Sequence, residues 1–200
     1  MNTYLKKLTL TAIYIAMFVV LSIYGTLDFY TLKLTIQNLP IYLGAITLGP
    51  VCGAAIGFAG MFINQILTYP ISVTTLLWVL PQTILGLVCG LVFSKFKISF
   101  YSIKFWVIII SMQVGLTIIT TVVIFVDSII LGYYTFLYVF GSFIVRIMVS
   151  VLVGVLYAVI IPFVLNLVKK IHWPYCCCKI NVCRGDRTRT CDPLVPNQVL

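Results

Sequence analysis

Apolar residues along this chain gather into six blocks, at residues 8–26, 34–48, 51–68, 75–93, 105–126 and 135–168. Charges, Gly-Pro pairs and polar turns separate them. The second block stops at Gly49-Pro50 and the third at Tyr69-Pro70, while a basic stretch from Lys95 to Lys104 divides the fourth from the fifth. A helix needs about 20 apolar residues to cross a bilayer, so most of these blocks have the length of a single crossing. The sixth is longer, and Pro162 marks where it kinks or leaves the membrane. The pattern predicts an all-α integral membrane protein, a bundle of six transmembrane helices.

The placement of charge tests that count separately. Lys6 and Lys7 precede the first block, Lys95, Lys97 and Lys104 lie between the fourth and fifth, and Lys169 and Lys170 follow the sixth. Six crossings bring all three clusters to one face, which the positive-inside rule makes cytoplasmic, with both termini there. Asp28 and Asp127 then fall outside. Five crossings would scatter the clusters over both faces. Residues 8–26 after two lysines also look like a secretory signal, but no convincing small-residue cleavage site precedes Asp28 and five more blocks follow, so this segment reads as a retained first helix.

Composition narrows the function. The chain of 200 residues is 62% hydrophobic and 8% charged, against about 25% charged in a soluble domain. Mean hydropathy is +1.16. Its four acids are Asp28, Asp127, Asp186 and Asp192, it has no glutamate, and its one histidine is His172. General acid–base chemistry inside the bundle would rest on Asp28 or Asp127 alone, which argues against an intramembrane protease or phosphatase and for binding or transport. Residues 1–170 form the membrane domain. The tail, 171–200, breaks every pattern of the bundle: it holds Cys176, Cys177, Cys178, Cys183 and Cys191 without the paired spacing of a zinc site, so no metal is expected. Its run from Arg184 to Gln198 looks like segments produced when a reading frame enters a structural RNA gene, and the tail is expected to be disordered or a read-through product.

Given the orientation, polar side chains concentrate in the outer half. Gln37 and Asn38 open the second block, Asn64 and Gln65 close the third, Trp78 and Gln82 open the fourth, Thr117, Thr120 and Thr121 lead to Asp127 in the fifth, and Tyr133, Tyr134 and Tyr138 open the sixth. Gln113 is the exception, lying deeper. Amides and hydroxyls in hydrocarbon need partners, so these residues are expected to face the bundle interior and line a pocket open to the outside. The plainer reading is an aromatic belt with amides cross-linking helices. Candidate substrate-binding residues are Gln37, Asn38, Asn64, Gln65, Trp78, Gln82, Thr121, Asp127, Tyr134 and Arg146. Arg146 is the one charge well inside a block, and a central arginine costs about 2.5–3.5 kcal/mol to insert. It binds an anionic ligand, pairs with Asp127 or Asp28, or meets a partner subunit.

Small residues recur every four positions: Ala12 and Ala16, then Gly49, Gly53 and Gly57, then Gly86 and Gly90. In the third and fourth blocks such spacing predicts close internal packing; Ala12 and Ala16 suggest a docking surface. The stretch from Asn38 to Gly57 reads Leu39-Pro40, eight residues, Gly49-Pro50, two residues, Gly53-Ala54, two residues, Gly57. With the six-block outline it resembles the substrate-binding (S) components of energy-coupling factor (ECF) vitamin transporters, folate-type or allied. The resemblance covers about residues 5 to 168. It implies capture of a vitamin or related micronutrient from outside a bacterial plasma membrane, docking through Ala12 and Ala16 onto a transmembrane coupling (T) subunit, and delivery driven by two cytoplasmic ATPases. No phosphate-binding G-x-x-x-x-G-K-[ST] loop occurs, so ATP is expected to be used by partners, with no cofactor and no nucleic acid on this chain. Where folate-type members carry an acid in the third helix this chain has Met61 or Asn64, and riboflavin, biotin, thiamine and queuosine precursors stay open as ligands. A self-contained secondary carrier or a non-catalytic small membrane protein is the alternative, although the two halves show no clear repeat.

Overall fold

The computed structural model describes residues 3–29, 32–70, 72–96, 102–132, 141 and 143–170. Among the described residues there are six helices: α1 (Thr3–Tyr24), α2 (Leu39–Leu48), α3 (Pro50–Thr68), α4 (Thr75–Lys95), α5 (Ile103–Ile130) and α6 (Phe143–Lys170). Five of them are long and apolar enough to cross a membrane; α2 is the shorter, apolar sixth. Tyr134 and the whole tail lie outside the described residues.

The second block differs from expectation at its start. Residues 34 and 35 belong to a strand, and the helix begins only at Leu39. Strands β1 (Thr26–Phe29) and β2 (Leu32–Thr35) pair antiparallel, with Asp28 opposite Lys33 in the register. The amide of Ile36 donates to the Gly25 carbonyl at 3.3 Å, closing the base of the hairpin where α1 ends. At a rise of 1.5 Å per residue, α2 is about 15 Å long, half the hydrocarbon thickness. In the sixth helix Pro162 lies inside a continuous span that runs through Lys170.

The short helix is the centre of the bundle. Every residue of α2 from Leu39 to Ile46 is buried. Tyr42 is fully enclosed, its ring 5.4 Å from that of Tyr157 on α6 and its hydroxyl donating to Gln113 Oε1 on α5 at 3.0 Å. One side chain thus ties α2 to two other helices.

Helices α3 and α4 meet backbone to backbone. A methyl group placed on Gly86 would strike the Gly53 carbonyl, one on Gly57 the Gln82 carbonyl, and one on Gly90 the Pro50 backbone. These pairings descend one helix as they climb the other, so the two run antiparallel, and the four-residue spacing of the glycines is what permits the approach. Gly60 likewise admits the Phe18 ring of α1, and Gly44 of α2 admits Ile56. By contrast Gly115, on α5, has open space where its side chain would be.

Gly86→Val is therefore expected to wedge α3 from α4, costing about 1–3 kcal/mol or more of stability. Gly115→Ala should leave the melting temperature of the purified protein unchanged or slightly raised. Thermal unfolding of the two variants in the same detergent checks the contrast.

Candidate substrate-binding site

Because α2 starts part-way along the bundle, the chain ahead of it brings polar backbone and side chains among the helices. Asn38 occupies the position before the first helical turn but makes no side-chain cap, and Pro40 in that turn removes one amide that would otherwise need a partner. The Leu39 amide donates to the Ile36 carbonyl at 3.2 Å. Two cavities open here.

The first, of about 460 Å³, lies between the start of α2, α4, α5 and α6. Gln37, Asn38, Gln82, Gln113, Thr117, Thr120, Thr121, Arg146 and Ser150 supply its polar lining. The second, of about 630 Å³, lies among α1, α3, the turn before α4 and the end of α5. Its lining includes Gln37, Asn64, Gln65, Thr68, Trp78 and Asp127. Gln37 borders both. Both volumes fall within the roughly 300–1,000 Å³ of small-molecule sites.

Nine of the ten candidates from the sequence line one cavity or the other; the tenth, Tyr134, is not among the described residues. The pattern did not show the division into two lobes. Arg146 borders the first and Asp127 the second. Asp28, the other suggested partner, has no described side chain. Gln113, set apart as lying deeper, lines the first cavity and is held there by Tyr42. Ser150 was missed, although it sits one helical turn from Arg146 and so on the same face.

The first cavity holds donors, the Arg146 guanidinium and the amide NH₂ groups, beside several oxygen acceptors. Asn38 Oδ1 and Gln82 Oε1 are buried and without a hydrogen-bond partner. The Thr117, Thr120 and Thr121 hydroxyls donate to carbonyls one turn back on α5, at 3.2, 2.8 and 2.8 Å. Ser150 does the same toward Ile147 at 2.8 Å. Each hydroxyl proton is thereby used, leaving oxygen lone pairs. A buried amide oxygen without a partner costs about 1–3 kcal/mol. In the second cavity Thr68 donates to Asn64 Oδ1 at 3.2 Å, so one amide oxygen there is satisfied. Among the described residues no group of three or more His, Cys, Asp or Glu side chains comes together.

Ala12 and Ala16 both lie exposed on α1, in a stripe with exposed Leu8 and Val20 at the same four-residue spacing. They pack against none of the glycine seams inside the bundle.

Tyr42→Phe removes the one donor to Gln113 Oε1 and leaves that oxygen buried beside the cavity. A stability loss of about 1–2 kcal/mol is expected, read as a lowered melting temperature of the purified protein.

No curated protein matches the chain. The family profile described as ECF-type riboflavin transporter, S component, matches residues 2–169. That is a family of transporter components, not of enzymes. The match spans all six helices and both cavities and stops at the tail that the sequence pattern sets apart. The chain is thus an integral membrane, substrate-binding subunit of an ECF transporter, and it belongs to the ECF-type riboflavin transporter S component family.

Proposed function

We propose that this chain captures riboflavin, or a flavin close to it, in the joined cavities and delivers it inward together with a T subunit and two ATPases. The lysine-bearing ends of the helices face the cytoplasm in this reading, both termini lie there, and the cavities open outward. The observation that carries it is the pair of buried, unpartnered amide oxygens at Asn38 and Gln82 on a cavity that Arg146 also lines. A flavin brings a ring imide N–H and a chain of hydroxyl groups, donors for the amide, threonine and serine oxygens of the lining, and two ring carbonyls that the Arg146 guanidinium and the amide NH₂ groups can serve. Two lobes bordered by Gln37 suit a ligand with a flat ring system and a polar chain. The family match supports the choice of flavin among the vitamins. ATP is bound and hydrolysed by the partner subunits; this chain contributes selection of the substrate and, through the exposed alanines of α1, docking.

The test is titration of the purified protein with riboflavin, followed by quenching of flavin fluorescence, alongside folate, biotin and thiamine. Saturable quenching by riboflavin alone is expected. Saturable binding of a different vitamin, with none of riboflavin, refutes the ligand assignment. Gln82→Met and Asn38→Leu should each weaken binding about tenfold, equivalent to about 1.4 kcal/mol. The same changes should leave the ligand-free protein as stable or more so, because each removes an unsatisfied buried oxygen.

Bulky replacement at α1, Ala12→Leu with Ala16→Leu, is expected to abolish uptake into cells while flavin titration stays unchanged. Lost binding in that variant would mean that these alanines serve packing within the bundle.

A further inference from the structure

An apolar groove of about 410 Å³ runs between α4 and α5 and meets the first polar cavity at Leu116. Pro81, Ile84 and Val88 line it from α4, and Val107, Met112 and Gly115 from α5. The groove is open because Pro81 interrupts the α4 backbone ladder at its deep end and Gly115 leaves its side-chain position empty. Between Val107 and Ile119 the α5 wall is about 18 Å long, close to the roughly 15 Å depth of one leaflet's hydrocarbon.

At its shallow end the groove meets two lysines. Lys95 follows Val92 by three residues and Val88 by seven on α4, and Lys104 precedes Val107 by three and Ile108 by four on α5. Helical spacing therefore puts both ammonium groups on the faces that form the groove walls. Both side chains are exposed. Trp106, 38% exposed, stands at the same level, where aromatic side chains mark the membrane interface.

We propose that this groove is a binding site for an anionic phospholipid, one acyl chain lying between α4 and α5 and the phosphate held by Lys95 and Lys104. The chemistry of the two ends selects this occupant. Membrane-spanning segments are surrounded by acyl chains, the groove walls are apolar apart from Ser111, and its one charged end is doubly positive and without acids of its own on either helix turn. Juxtamembrane lysines draw anionic headgroups in this way. Neither lysine borders the flavin cavities, so the site stands independently of which vitamin the protein binds.

Native mass spectrometry of the full chain, offered an equimolar mixture of phosphatidylglycerol and phosphatidylcholine with identical acyl chains, tests the proposal. Retention of phosphatidylglycerol is expected to exceed that of phosphatidylcholine about 30-fold, the value for two interfacial lysines. Lys95→Gln with Lys104→Gln should bring the ratio close to one without altering flavin titration. Gly115→Leu, which fills the groove, should lower retention of both lipids. Equal retention by the unaltered chain, or an undiminished preference in the double variant, overturns the proposal. So does a third outcome, in which lipid selectivity is absent and the double variant instead loses co-purification with the transporter's other subunits: the groove end would then be a protein-docking surface.

Discussion

The arrangement follows from ending a helix inside a membrane protein. A ten-residue α2 cannot cross the hydrocarbon by itself, so its first turn, with backbone amides that have no partner within the helix, lies among other helices. Lipid cannot satisfy such groups; protein or a polar cavity must. The amides and hydroxyls of α4, α5 and α6 collect around that one point for this reason. The hairpin ahead of α2 solves the same problem differently, pairing its backbone strand to strand before the chain re-enters as a helix. Because α2 is enclosed on all sides, its neighbours must come close, and the glycines of α3 and α4 give them the room.

Much of this was legible in the residues. The six apolar blocks correspond to the six helices, and the four-residue glycine spacing corresponds to the contact between α3 and α4. Amides at the ends of separate blocks converge because nothing else in a membrane satisfies them. The hairpin was hidden because its ten residues run into the second block and carry leucines throughout, so a hydrophobic count absorbed residues 34 and 35 into the helix. Tyr42 was hidden for another reason. In an apolar run a tyrosine resembles any large core residue until the partner of its hydroxyl is known, and Gln113 lies 71 residues away. That partnership also explains why Gln113 alone stood deeper than the other polar positions.

Arg146 and Asp127 border different cavities, and the Gln37 side chain lies where the two adjoin. The two charged residues of the polar interior thus stand at separate places along it, one beside the start of α2 and the other near the end of α5.

The seams between helices also differ in kind. Helices α1 to α4 interlock through glycines, and α5 packs closely along α6, but α4 and α5 touch sparingly and leave a groove open between them. Two packed groups of helices thus meet along a sparser seam, crossed by the Tyr42 hydroxyl and by the Phe93–Phe105 ring contact. The first cavity straddles that seam, drawing Gln82 from one group and Arg146 and Thr121 from the other. Whatever fills that cavity touches both halves of the bundle at once.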